Sequence, residues 1–123
     1  MKHGLVIEES VSVRKLFCGM MEQLGFMTSE AANGKEALLR CASRMPDVIL
    51  VDRNMPVMNG PSFARALRRL PHGQKPRIII VSIEDGRDNI TEALSSGADD
   101  YIAKPFRIEF LASKLECFSA HLG

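Results

Sequence analysis

The chain has 123 residues, of which 46% are hydrophobic and 25% charged, with 9 glycines and 6 prolines. That is the composition of one ordinary globular domain, able to bury about two thirds of its unfolded surface; disorder, collagen and a second domain are excluded. Sixteen basic residues against fifteen acidic ones leave a formal net charge of +1, so no global field selects for nucleic acid or an anionic membrane.

The first apolar run, Leu5-Val6-Ile7, follows Met1-Lys2-His3-Gly4 directly. No run approaches the roughly 20 apolar residues that span a bilayer, and no export signal is visible, so a cytoplasmic protein without a membrane anchor is expected. Val13, Leu16, Phe17, Met20, Met21 and Leu24 then recur at helical spacing. They predict a helix with Ser10 as its N-cap and Gly25 as its stop. A weaker strand fits Phe26 to Ala31. Ala37, Leu38, Cys41, Ala42 and Met45 form a second helical stripe, opened by Asn33-Gly34 and ended before Pro46.

Val48-Ile49-Leu50-Val51 is a continuous apolar run, as is Ile78-Ile79-Ile80-Val81. Runs of this kind, rich in β-branched residues and without polar alternation, suit strands buried on both faces of a parallel sheet. Between them a third helix starts near Pro61, with Phe63, Leu67 and Leu70 inward and Arg65, Arg68 and Arg69 on another face. From Arg53 to Ile83 there is no Asp or Glu. That stretch is locally basic, and a solvated cationic face is its default reading. A short fourth helix carries Ile90, Ala93 and Leu94 and stops at Gly97. After the strand Tyr101-Ile102-Ala103, a last helix carries Ile108, Leu111, Leu115, Phe118 and Leu122.

Strand and helix thus alternate five times, which predicts a small doubly wound α/β sheet with helices on both faces. Cys18, Cys41 and Cys117 lie among apolar residues and read as reduced core thiols. The seven methionines read as core or turn residues. His3, His72 and His121 are scattered and form no catalytic set.

In such sheets the site lies outside the carboxyl ends of the strands, where strand order reverses. The runs end there in Glu8-Glu9, Asp52, Ser82 and Lys104. Three carboxylates, a hydroxyl and an ammonium at one edge suit a hard divalent cation and a phosphoryl group.

Glu8-Glu9, Val51-Asp52-Arg53-Asn54-Met55-Pro56-Val57-Met58-Asn59-Gly60, Val81-Ser82 and Tyr101-Ile102-Ala103-Lys104-Pro105-Phe106 resemble the receiver domain of bacterial two-component response regulators, in its single-domain, chemotaxis-type form. The resemblance covers the chain from Leu5 to the last helix. It implies a five-stranded, flavodoxin-like sheet of order 2-1-3-4-5, with residues 1–123 forming one receiver domain and no output domain. It also implies that Asp52 accepts phosphate from a histidine kinase or phosphotransfer protein. Mg²⁺ is then expected on Glu9, Asp52 and the Asn54 carbonyl, with Glu8 acting through water. Lys104 is expected to pair with a phosphate oxygen and Ser82 to donate its hydroxyl to another. Lys104-Pro105 is expected to be cis, aiming the ammonium at the site. Tyr101 is expected to follow the Ser82 loop as a switch. The fourth helix, fifth strand and fifth helix would present the face for a downstream protein partner. No enzymatic turnover is expected beyond Mg-assisted self-phosphorylation and autodephosphorylation at Asp52.

Two residues depart from the family pattern. Glu9 stands where Asp is usual, one methylene longer, which unsettles the near-ideal octahedral geometry Mg²⁺ demands. Ile83 stands where a small residue is usual and narrows access for phosphodonors. They support a second reading, a phosphorylation-independent adaptor of the same fold with a weakened metal site. A third, an aspartyl-phosphate hydrolase, needs Asp-x-Asp, and Asn54 occupies the third position.

Overall fold

The computed structural model describes residues 2–84 and 86–122, with residues 116–122 described by backbone alone. The order is β1 (His3–Ile7), α1 (Val11–Gln23), β2 (Met27–Ala31), α2 (Gly34–Ser43), β3 (Val48–Asp52), α3 (Gly60–Arg68), β4 (Arg77–Ser82), α4 (Arg87–Ser95), β5 (Asp100–Ala103) and α5 (Ile108–Leu122). The five strands form one sheet of order β2-β1-β3-β4-β5, parallel throughout. Chain direction across the sheet reverses once, between β1 and β3. Right-handed crossovers therefore place α1 on one face and the next three helices on the other.

The period-2 geometry of each strand divides the apolar runs between two cores. Leu5, Ile7, Ile49, Val51, Ile78 and Ile80 pack with Ala37 and Cys41 of α2, Phe63, Ala64 and Leu67 of α3, and Ala93 of α4. Val6, Val48, Leu50, Ile79, Val81 and Ile102 pack with Phe17, Cys18 and Met21 of α1 and with Leu111 and Leu115 of α5. Continuous apolar sequence is what a sheet covered on both faces requires.

The helix ends follow local chemistry. Ser10 Oγ accepts from Val13 N–H at 3.3 Å, Asn33 Oδ1 from Glu36 N–H at 2.9 Å, and Asn59 Oδ1 from Ser62 N–H at 2.9 Å. Each fills one of the orphan donors of a first helical turn. Gly25 follows α1 at φ +95 and Gly97 follows α4 at φ +114, the left-handed backbone that glycine adopts without strain.

Several side chains depart from the sequence pattern. Leu16 is 57% exposed while Cys18 is buried. One residue turns a helix by about 100°, and the buried arc centres on Phe17 and Met21, leaving Leu16 outside it. Ala42 is likewise exposed. Ile90 and Leu94 are 36% and 47% exposed, so Ala93 is the one residue that α4 buries. Arg68 belongs to no solvated face. It donates to the carbonyls of Gly97, Gly73 and Pro76 and pairs with Asp99 at 3.0 Å, because those turns converge on the C-terminal end of α3. Cys18 and Cys41 are buried free thiols, and burial pushes Cys41 up to about 11. The side chains of Cys117, Phe118, His121 and Leu122 lie outside the described residues. Among the described residues no helix is long and apolar enough to cross a membrane.

Candidate functional site

β1, β3 and β4 end side by side, with Asp52 in register with Val81. Asp52 closes β3, a central strand, and is 8% exposed. Glu8 follows β1 and is 3% exposed. Its Oε2 accepts from Ser10 N–H at 2.8 Å, and its Oε1 faces Lys104 Nζ at 3.2 Å. The same Nζ lies 3.3 Å from Asp52 Oδ1. Lys104 thus stands between two buried carboxylates. It is delivered there from the end of β5, where Lys104-Pro105 is cis, and its own N–H donates to Ser82 O at 2.8 Å. Phe106 fixes the following turn by stacking on Phe17 of α1, with ring centroids 5.2 Å apart.

Burial raises the Asp52 pKa, and the Glu8 charge raises it further; Lys104 and the Asn54 backbone N–H pull the other way without cancelling the rise. Burial works against the Lys104 ammonium too, but the Asp52 and Glu8 charges outweigh it and hold its pKa above the ordinary lysine value. One ammonium serves two carboxylates. The local charge is therefore negative, and the donors are hard oxygens, a setting that suits a small divalent cation.

Of the expected metal ligands, Glu8 and Asp52 come together and Glu9 does not join them. Glu9 is exposed, and among the described residues no three His, Cys, Asp or Glu side chains group as a metal-holding set. Mg²⁺ commonly uses only one or two carboxylates and keeps several waters, so the paired Glu8 and Asp52 carboxylates are chemically suited to it. The Asn54 side chain is turned away, accepting from Arg53 Nη1 at 3.2 Å. Gly60 packs against this turn: a Cβ there would lie 2.9 Å from Asp52 O.

Ser82 is fully buried at the end of β4, and its Oγ accepts from Glu84 N–H at 3.0 Å. Tyr101 is 9% exposed, and its hydroxyl donates to Glu84 O. The two residues expected to move together thus hold the same loop residue. Ile83 is 70% exposed and lies on the outer surface of that loop. Sequence reasoning missed Glu84, which has no motif of its own, and gave Arg53 no role beyond its place in the motif after Asp52 and in a basic stretch. Arg53 stands directly after Asp52, and that adjacency was the available signal.

Residues 5–116 match the family model of the response regulator receiver domain. The chain is a response regulator receiver domain. The chemotaxis protein CheY of Pseudomonas aeruginosa is 33% identical over 113 residues, which is 91% of either chain. The phosphate regulon transcriptional regulatory protein PhoB of the same organism is 31% identical over 97% of this receiver and 52% of its own length. The receiver spans about half the length of the transcriptional regulators it matches. Chemotaxis protein CheY4 of Vibrio cholerae, a solved structure, superposes with TM-score 0.89 at 31% identity, over 95% of this chain and 98% of that one. The receiver domain of the sensor histidine kinase PA1611 from Pseudomonas aeruginosa gives TM-score 0.86 at 27% identity, over 94% and 95% of the two chains, and holds a magnesium ion in its active-site cleft. The flavodoxin-like order expected from the sequence is the order of this family.

Proposed function

We propose that this receiver is a phosphoacceptor in a cytoplasmic phosphorelay, phosphorylated on Asp52 by a histidine kinase or phosphotransfer protein and signalling through partner binding. The observation that carries the reading is the Lys104 ammonium held between the buried Asp52 and Glu8 carboxylates. An Asp52 oxygen attacks the phosphorus of a phosphohistidine; the new O–P bond forms as the P–N bond breaks, and the imidazole leaves with the electron pair. Lys104 is already within 3.3 Å of the attacking carboxylate, where a compact cation meets the incoming phosphoryl charge. Glu8, Asp52 and the Asn54 carbonyl are the residues that would hold Mg²⁺, which when bound supplies charge neutralisation between an anionic nucleophile and an anionic electrophile. In moving to donate its hydrogen to a phosphoryl oxygen, the Ser82 hydroxyl can give up the bond that its Oγ accepts from Glu84 N–H, an exchange of partners at that atom. That exchange releases the loop, and Tyr101 and α4 follow it, altering the surface of α4, β5 and α5 that a downstream protein reads.

Treatment with acetyl phosphate and Mg²⁺ is expected to add one labile phosphoryl group by mass spectrometry, absent in Asp52→Asn. An adduct that persists in Asp52→Asn would overturn the assignment. The exposed position of Glu9 favours the second reading, a phosphorylation-independent adaptor. No adduct on the wild-type chain, with partner binding unaffected, would establish it instead.

A further inference from the structure

We infer that Arg53 is a positioning residue that latches α4 to the end of the phosphoacceptor strand while Asp52 is unphosphorylated. The guanidinium reaches away from Asp52 toward α4. Nη2 lies 3.1 Å from Glu92 Oε1 in α4, and Nη1 lies 3.6 Å from Glu84 Oε2 in the loop before it. Arg53 itself is fixed at its backbone, its N–H donating to Val81 O at 2.8 Å and its carbonyl accepting from Gly60 N–H at 2.9 Å. The fork therefore springs from a backbone-anchored base beside Asp52 and closes on two lightly anchored elements.

The partners have few other anchors. α4 buries only Ala93 along its length and has no side-chain bond at its N-cap, Gly86. Its far end is held through Arg68, which donates to Gly97 O. Arg53 supplies the hold nearer the site. Glu84 is the junction: its N–H goes to Ser82 Oγ, its carbonyl receives the Tyr101 hydroxyl, and its carboxylate meets both Arg53 and Asn89. Any movement of the Ser82 loop thus drags a carboxylate that Arg53 holds. The latch is also not over-built. Arg53 Nε is buried without a hydrogen-bond partner, and Glu84 and Glu92 are about half exposed, so the grip is weak enough to open. A partly exposed ion pair of this kind biases an equilibrium by about two- to fivefold, a tuning of the switch rather than a lock.

The functional consequence rests on the phosphoacceptor reading, but the latch itself is read without phosphate. Amide hydrogen exchange of the unphosphorylated protein should quicken by about two- to fivefold across residues 87–95 in Arg53→Gln and in Glu92→Gln. Amides of α1 and α2 serve as the internal control and should not change. The double variant should match Arg53→Gln alone, because Arg53→Gln already opens the one contact that Glu92→Gln removes. Added salt should quicken α4 exchange in the wild type and not in Arg53→Gln. Unchanged α4 exchange in both single variants, or additive effects in the double, would overturn the latch. In a second arm, acetyl phosphate should label Arg53→Gln and Glu92→Gln faster than wild type by a similar factor, since the freed state is the one that accepts phosphate. If Arg53→Gln slows labelling while Glu92→Gln does not change it, Arg53 attracts the anionic donor and the latch is wrong. If the wild type takes no label, the phosphoacceptor reading fails alone, and the exchange arm still decides the latch.

Discussion

Asp52 is held at 8% exposure beside a second carboxylate, and its raised pKa has a thermodynamic consequence. The folded chain binds the Asp52 proton more tightly than the unfolded chain does. The stability linked to that proton is fully present below the unfolded value of about 3.9 and is lost as pH rises through the higher folded value. At neutral pH the ionised carboxylate therefore opposes folding. Asp52→Asn should melt higher than wild type by a few degrees at pH 7, and the gap should close as pH approaches the unfolded carboxylate value; calorimetric melts across that range check this. A gap that widens on acidification would mean the Lys104 pairing dominates. At this scale the sequence is legible where position alone decides. Asp52 ends a continuous apolar run, so its place at the sheet edge follows from the strand. Which of Glu8 and Glu9 turns inward does not follow, because the deciding partner, Lys104, lies 96 residues away from Glu8. Arg68 is the same case: its carbonyl acceptors come from two separate loops, the α3–β4 connection and the turn after α4.

Among the elements, the strands and helix starts are read most directly, since Ser10, Asn33 and Asn59 cap their helices by bonds to residues three positions on. Helix faces are read less well. Leu16, Ile90 and Leu94 fit an apolar period and yet lie exposed, because the period marks a stripe while the sheet selects its centre. The turn between β3 and α3 shows how tightly one element is fitted to the site. A Cβ on Gly60 would lie 2.9 Å from Asp52 O and 3.1 Å from Arg53 Cα, both backbone atoms that cannot yield as a side chain end would. Gly60→Ala should lose about 1–3 kcal/mol of stability, the usual cost of overpacking. Chemical denaturation measures that loss, and slower labelling of Asp52 by acetyl phosphate should accompany it. Full stability in Gly60→Ala would show that the turn can shift outward freely.

At the scale of the whole molecule, the proposed mechanism has one phosphoryl group on Asp52 act on a surface built by α4, β5 and α5. Two strand ends carry it: Ser82 closes β4 in register with Ala103, and Lys104 follows β5. Both are tied to one loop, since Ser82 Oγ and the Tyr101 hydroxyl bond to the N–H and carbonyl of Glu84. A hydrogen bond to a charged phosphoryl oxygen contributes about 1.5–3 kcal/mol, which moves a two-state equilibrium by about ten- to a hundredfold. That exceeds the weak hold of a half-exposed ion pair on α4, so in the proposed mechanism the Ser82 contact decides the state and the Arg53 latch tunes its threshold. With beryllofluoride and Mg²⁺ as the phosphoryl mimic, amide shifts should extend from Asp52 through residues 82–95 to Tyr101 in the wild type. Ser82→Ala should keep the shifts around Asp52 and lose those in α4 and β5. Distal shifts that survive in Ser82→Ala would place the coupling elsewhere, with Lys104 and β5 as the remaining path. Shifts confined to Asp52 in the wild type would leave α4 uncoupled and favour the adaptor.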